Sequence, residues 1–137
     1  MSTILIDTSA LFALHYARDQ NHRQAVTYFR SIAGQVKPIL TEWVFVEIMN
    51  LTKARLGPQY AVAYGRHLKA SQAFYTLNLT DNDKQLTWAI FEQHQDKHWS
   101  YVDCSLLAVA RRLSIQRIFT FDNHFSQMGF SILPMSR

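Results

Sequence analysis

Only one cysteine, Cys104, occurs in 137 residues. A lone thiol excludes a disulfide framework and a cysteine-built zinc site, and it suits a reducing compartment. No hydrophobic run approaches the length of a signal-peptide core or a membrane span, since Ile4, Leu5 and Ile6 are followed at once by Asp7. The expected location is therefore the cytoplasm, with no membrane partner. Proline and glycine breaks are few: Gly34, Pro38, Gly57–Pro58, Gly129 and Pro134. Without repeats, low-complexity tracts or linkers, these breaks punctuate one domain over 1–137 rather than divide two. No glycine-rich phosphate loop is present, which sets aside the familiar nucleotide-binding classes. Acids are also scarce. Ten Asp and Glu stand against fourteen Lys and Arg, a net charge of +4. That balance favours a polyanion such as nucleic acid, although the cations are scattered and only Arg111–Arg112 are adjacent.

Core material is plentiful, with 48% hydrophobic and 13% aromatic residues, so disorder is excluded. A domain of this length buries roughly two-thirds of the surface its unfolded chain exposes. Short apolar runs predict strands at Thr3–Ile6, Pro38–Leu40, Phe74–Leu77, Arg117–Phe121 and Phe130–Leu133. Helical spacing and capping residues predict helices over Ala10–His15, Asn21–Ile32, Thr41–Leu56, Gln59–Lys69, Thr80–Gln95 and Ser100–Leu113. Alternating strands and helices predict an α/β fold, with a parallel sheet covered by helices on both faces. One link is tight. The helix ending near Gln95 is expected to finish at the far edge of the sheet from the next helix start, so residues 96–102 must climb back, a span an extended chain can cover.

Four of the ten acids stand where acids should be avoided. Asp7 ends the strand Ile-Leu-Ile. Glu47 interrupts Trp-Val-Phe-Val-Glu-Ile-Met. Asp103 precedes Cys-Ser-Leu-Leu-Ala-Val-Ala, and Asp122 follows Ile-Phe-Thr-Phe. A buried carboxylate needs a partner. In an open parallel sheet the carboxyl ends of the strands, and the starts of the helices that follow them, share one edge, where ligands bind. All four carboxylates map to that edge. Each has a plainer explanation: Asp7, Asp103 and Asp122 are also capping residues, and Glu47 could pair with Lys53 or Arg55. Taken together, four like charges at one edge repel unless a cation binds them. Oxygen-only donors suit Mg²⁺ or Mn²⁺. Thr8 or Ser9, and Thr120, can support the acids through hydrogen bonds.

The stretches ILIDTSALFAL, TEWVFVEIMN, YVDCSLLAVAR and IFTFDNHF resemble, in order and spacing, the four acidic motifs of PIN domains. The resemblance implies a three-layer α/β/α fold with a parallel sheet of four or five strands in the order 3-2-1-4-5. It implies a Mg²⁺- or Mn²⁺-dependent ribonuclease and, in many members, a toxin role like that of VapC. Carried over by motif, Asp7, Glu47, Asp103 and Asp122 are catalytic and metal-site residues, with Thr120 in support. The implied partners are an RNA substrate and an antitoxin protein. Lys53, Arg55, Arg111 and Arg112 are candidates for the RNA backbone. Trp43, Phe45, Tyr60, Tyr64 and Trp88 suit core or homodimer packing.

Other classes compete less well. A phosphatase with an aspartate nucleophile wants a second Asp two residues after Asp7, where Ser9 stands. A non-catalytic binding module has no need of all four acids. A PIN-fold RNA-processing or RNA-binding protein without a toxin role is the alternative closest to the main reading. His94 and His98 have zinc spacing but no third ligand, while His15, His22, His67 and His124 read as surface or capping residues.

Overall fold

The computed structural model describes residues 3–135. Five strands form one parallel sheet: β1 (Ile4–Ile6), β2 (Pro38–Thr41), β3 (Tyr75–Leu77), β4 (Arg117–Phe119) and β5 (Ser131–Leu133). Their order across the sheet is β3-β2-β1-β4-β5, as the resemblance implies. The central strand β1 is wholly buried, with Ile4, Leu5 and Ile6 all at 0% exposure. An unbroken apolar run is what a strand covered on both faces requires. Its register sets Leu5 opposite Ile39 on β2 and opposite Ile118 on β4.

Six helices flank the sheet: α1 (Thr8–His15), α2 (His22–Ile32), α3 (Glu42–Leu56), α4 (Pro58–Ala70), α5 (Asp81–Gln93) and α6 (Tyr101–Leu113). Helix α3 buries Val44, Ile48 and Thr52, a stripe at fourfold spacing. Gly57, at φ 94°, ends α3 in a conformation that favours glycine, and Pro58 then supplies the first turn of α4. Helix α6 carries the densest core face, burying Cys104 through Ala110 without a gap.

The predicted climb over residues 96–102 does not occur. Helix α5 lies antiparallel to α6. At one end, Arg112 of α6 forms two hydrogen bonds to Asp83 of α5, at 2.7 and 2.9 Å. At the other, Phe91 packs edge-on against Tyr101 with centroids 5.3 Å apart. Helix α5 therefore ends where α6 begins, and residues 94–100 need only turn the chain. The return across the sheet's height is made earlier, between β3 and α5.

Boundaries also shift by a residue or two. Strand β4 stops at Phe119 rather than Phe121, which frees Thr120 for side-chain work. A 3-10 turn over Asn123–Met128 joins β4 to β5, capped by Asp122.

Candidate active site

Each acid is positioned by an element that begins or ends at the carboxyl edge of the sheet. Asp7 directly follows β1 and caps α1, accepting the Ala10 amide at 3.0 Å. The Ser9 hydroxyl donates to its two oxygens at 2.8 and 3.1 Å, and Thr120 donates to Oδ2 at 2.7 Å. Thr120 follows β4, the neighbouring strand, so the sheet register itself delivers this hydroxyl to Asp7. The Asp122 amide donates back to Thr120 Oγ1 at 2.9 Å. The Phe121 amide donates to Ser9 Oγ at 3.0 Å, which locks the segment after β4 onto the start of α1.

Glu47 lies on the flank of the buried stripe of α3, between Val44 and Ile48. Its Oε1 accepts a hydrogen bond from Thr8. Neither Lys53 nor Arg55 is its partner, and Arg55 sits over the Phe12 ring at 5.4 Å instead. Asp103 forms a capping box with Ser100, its carboxylate accepting the Ser100 amide at 2.9 Å and its amide donating to the Ser100 hydroxyl at 3.0 Å. Capping and clustering therefore coexist: Asp7, Asp103 and Asp122 all cap helical turns while sharing one edge.

The sequence undervalued His124. Its ring stands between two of the acids, with Nδ1 2.6 Å from Asp122 Oδ1 and Nε2 2.8 Å from Asp103 Oδ2. The second is a close charge contact off the line of a hydrogen bond. The signal was its position two residues beyond Asp122. His15 is also no surface residue. It stacks on Tyr64 with centroids 3.6 Å apart, and burial lowers its pKa to about 4. Arg112 is engaged by Asp83 and is not available to an RNA backbone.

The electrostatics of the edge are strained. Burial raises the Asp7 carboxyl to about pKa 7. Hydrogen bonds from Ala10, Thr120 and Ser9 pull it down, while the charge of Asp103 pushes it further up. Burial also raises Glu47, against the Thr8 hydrogen bond, and Asp103 again adds to the rise. Thus Asp7 and Glu47 both sense the charge of Asp103. The Cys104 thiol beside them is pushed up to about 11 by burial and by Asp103, which leaves it an inert core group.

The donor chemistry fits a hard divalent cation. All four groups offer oxygen, and each of Glu47 Oε2, Asp103 Oδ1 and Asp122 Oδ2 has no hydrogen-bond or ion-pair partner among the described residues. The cage is not closed as it stands, because no three His, Cys, Asp or Glu side chains among the described residues converge tightly enough to enclose an ion. The His124 ring stands between Asp103 and Asp122 in this arrangement.

Comparison with known proteins identifies the family. The chain is 30% identical over 127 residues to the 23S rRNA-specific endonuclease VapC20 of Mycobacterium tuberculosis, covering 93% of this chain and 95% of that protein. The crystal structure of M. tuberculosis VapC20, a sarcin-ricin loop cleaving toxin, superposes with a TM-score of 0.85 at 29% identity, over 94% of this chain and 97% of that one. FitAcB from Neisseria gonorrhoeae shares the fold at a TM-score of 0.69 and 18% identity, over 95% and 96% of the two chains. The PIN domain model matches residues 4–131, and the chain belongs to the PIN-domain family.

Proposed function

We propose that this protein is a metal-dependent ribonuclease that hydrolyses RNA phosphodiester bonds, and that it is the toxin of a toxin–antitoxin pair. The observation that carries the reading is the joining of Asp7, Glu47, Asp103 and Asp122 at one sheet edge through Thr8, Thr120 and His124. The charge of Asp103 works against ionisation of Asp7 and Glu47, and a divalent cation at this edge relieves that repulsion. Mg²⁺ or Mn²⁺ would be held by Asp7, Glu47, Asp103 and Asp122. When bound, such an ion supplies Lewis acidity toward a phosphate oxygen and toward the attacking water.

The chain's own residues do the rest. Thr120 and Ser9 fix the plane of the Asp7 carboxylate, and Thr8 fixes Glu47. Burial of Asp7 keeps bulk water from screening the acidic centre, which strengthens its hold on a cation. The relative's target makes 23S ribosomal RNA the first substrate to assay. An acidic pocket on a basic protein also attracts an arginine or lysine from a partner, and the antitoxin is read as that partner. No helix among the described residues is long and apolar enough to cross a membrane, and we place the activity in the cytoplasm. Exposed Val46, Trp88 and Phe91 would be covered in a homodimer.

The test is cleavage of 23S RNA by highly purified protein. Cleavage should require Mg²⁺ or Mn²⁺, stop with EDTA, and fall by orders of magnitude in Asp103→Asn. Cleavage that persists in EDTA and in the variant would overturn the reading. For the toxin role, induced expression should arrest growth, and co-expression of the neighbouring gene should restore it.

A further inference from the structure

A large cleft opens beside the acidic site rather than on it. Its volume is 1120 Å³, and Thr120, the residue that anchors Asp7, lies in its wall. One side is the polar face of α2, where Asn21, Arg23, Gln24 and Thr27 contribute; the other is the segment after β4, with Phe121 and Asn123. A pocket for one small ligand takes about 300–1,000 Å³, so this cleft has the size and openness of a track for a polymer. We propose that it holds the single-stranded stretch of RNA that leads into the acidic site. The proposal rests on the nuclease reading and names where its substrate lies.

The lining favours RNA over a peptide on three counts. Among the described residues its lining contains no carboxylate, although the acids stand immediately beyond Thr120. A phosphodiester chain thus meets repulsion only at the point where cations are expected. Its side-chain amides, Gln20, Asn21, Gln24 and Asn123, each carry a donor and an acceptor, which is what the edges of unpaired bases present. The one cation among the described lining residues, Arg23, is exposed at the start of α2 and can neutralise a phosphate. Arg23 and Thr27 are four residues apart, and Gln24 and Thr27 three, so these groups form one continuous face along the helix. Phe121 is held by its amide to Ser9 and offers a half-buried ring at the boundary between cleft and acids.

The experiment measures binding in EDTA, where no cleavage interferes. A fluorescein-labelled single-stranded RNA of mixed sequence is titrated with the parent, Arg23→Ala, Arg23→Lys and Gln24→Ala. Both positions are exposed on α2, so the variants keep the fold. Arg23→Ala should weaken binding about fivefold at low salt and reduce the salt slope by about one, and Arg23→Lys should restore most of both. Gln24→Ala should leave the salt slope unchanged and alter the ranking of adenine, cytosine and uracil homopolymers. In Mg²⁺, Arg23→Ala should raise KM and leave kcat near the parent value. Unchanged affinity and slope in Arg23→Ala would overturn the proposal, as would loss of antitoxin binding with RNA binding intact. The two readings fail separately. Cleavage that survives with every cleft variant binding as the parent does removes the track and keeps the nuclease. RNA binding lost in the variants, from a parent that never cleaves, keeps the track and removes the nuclease.

Discussion

In metal-free protein, Asp7→Asn should make the fold more stable, by an amount that grows with pH. Asp7 is 5% exposed, and burial raises its carboxyl from 3.8 to about 7. Between those values the folded state keeps a proton that the unfolded chain has lost. Stability therefore falls as pH rises from about 4 through 7, and levels off above. Roughly three pKa units correspond to about 4 kcal/mol, the largest effect expected near pH 8. Asn cannot titrate, so the variant escapes this fall. Its local bonding survives: Oδ1 still accepts the Ala10 amide, and the Ser9 and Thr120 hydroxyls turn to accept from Nδ2. The assay is urea or thermal unfolding in EDTA, near pH 4.5 and near pH 8. At the lower pH the two proteins should agree within about 1 kcal/mol. At the higher, the variant should lead by up to about 4 kcal/mol, or roughly 10 °C in Tm. Adding Mn²⁺ should narrow or reverse the order, because the ion protects the parent more. A variant that is less stable than the parent near pH 8 in EDTA would refute the reasoning, since Asp7 would then be a purely structural cap.

Three further outcomes follow from the same structure. Arg112→Met leaves the Asp83 side chain, 2% exposed, without its partner. Because Arg112 itself is 34% exposed, the expected loss lies between surface and fully buried values, about 2–3 kcal/mol by urea unfolding. His15, lowered to about 4 by burial, stays neutral in the fold while the unfolded chain takes up a proton below its ordinary value of 6.5. The parent should therefore lose stability as pH falls from 6.5 toward 4, and unfolding curves of His15→Phe should show a weaker decline over that range. Ser9→Ala strips hydrogen bonds from Asp7 and from the Phe121 amide. It should lose about 1–3 kcal/mol of stability and weaken Mn²⁺ binding, both readable by calorimetry.

The middle of the sheet was legible because β1 and β2 are buried along their whole length and read as short apolar runs, whereas the edge strands β3 and β5 are exposed or half-buried and were marked by their flanking breaks. Ile4–Ile6 could be little else. The four acids were legible for the opposite reason, each being a charge set in apolar surroundings. The path from β3 to α6 was not. Helix direction there is decided by long-range contacts, Asp83 with Arg112 and Phe91 with Tyr101, which neither periodicity nor capping encodes. His124 was missed because a histidine in a turn has no pattern of its own. Its role arises only when α6 and the segment after β4 bring Asp103 and Asp122 to its two nitrogens. Arg112 was misread for the same reason: a cation on a helix shows its partner only once the neighbouring helix is in place.

The central claim is that the acids at this edge hold a divalent ion, and a calorimetric titration of Mn²⁺ tests it most directly. The parent, freed of metal and held near neutral pH, should bind Mn²⁺ at one or two sites. Asp103→Asn and Glu47→Gln, each confirmed as folded by circular dichroism, should bind at least tenfold more weakly. Equal binding by the parent and both variants would contradict the account, because the ion would then lie elsewhere or the four carboxylates would be no more than caps and partners for Thr8 and His124.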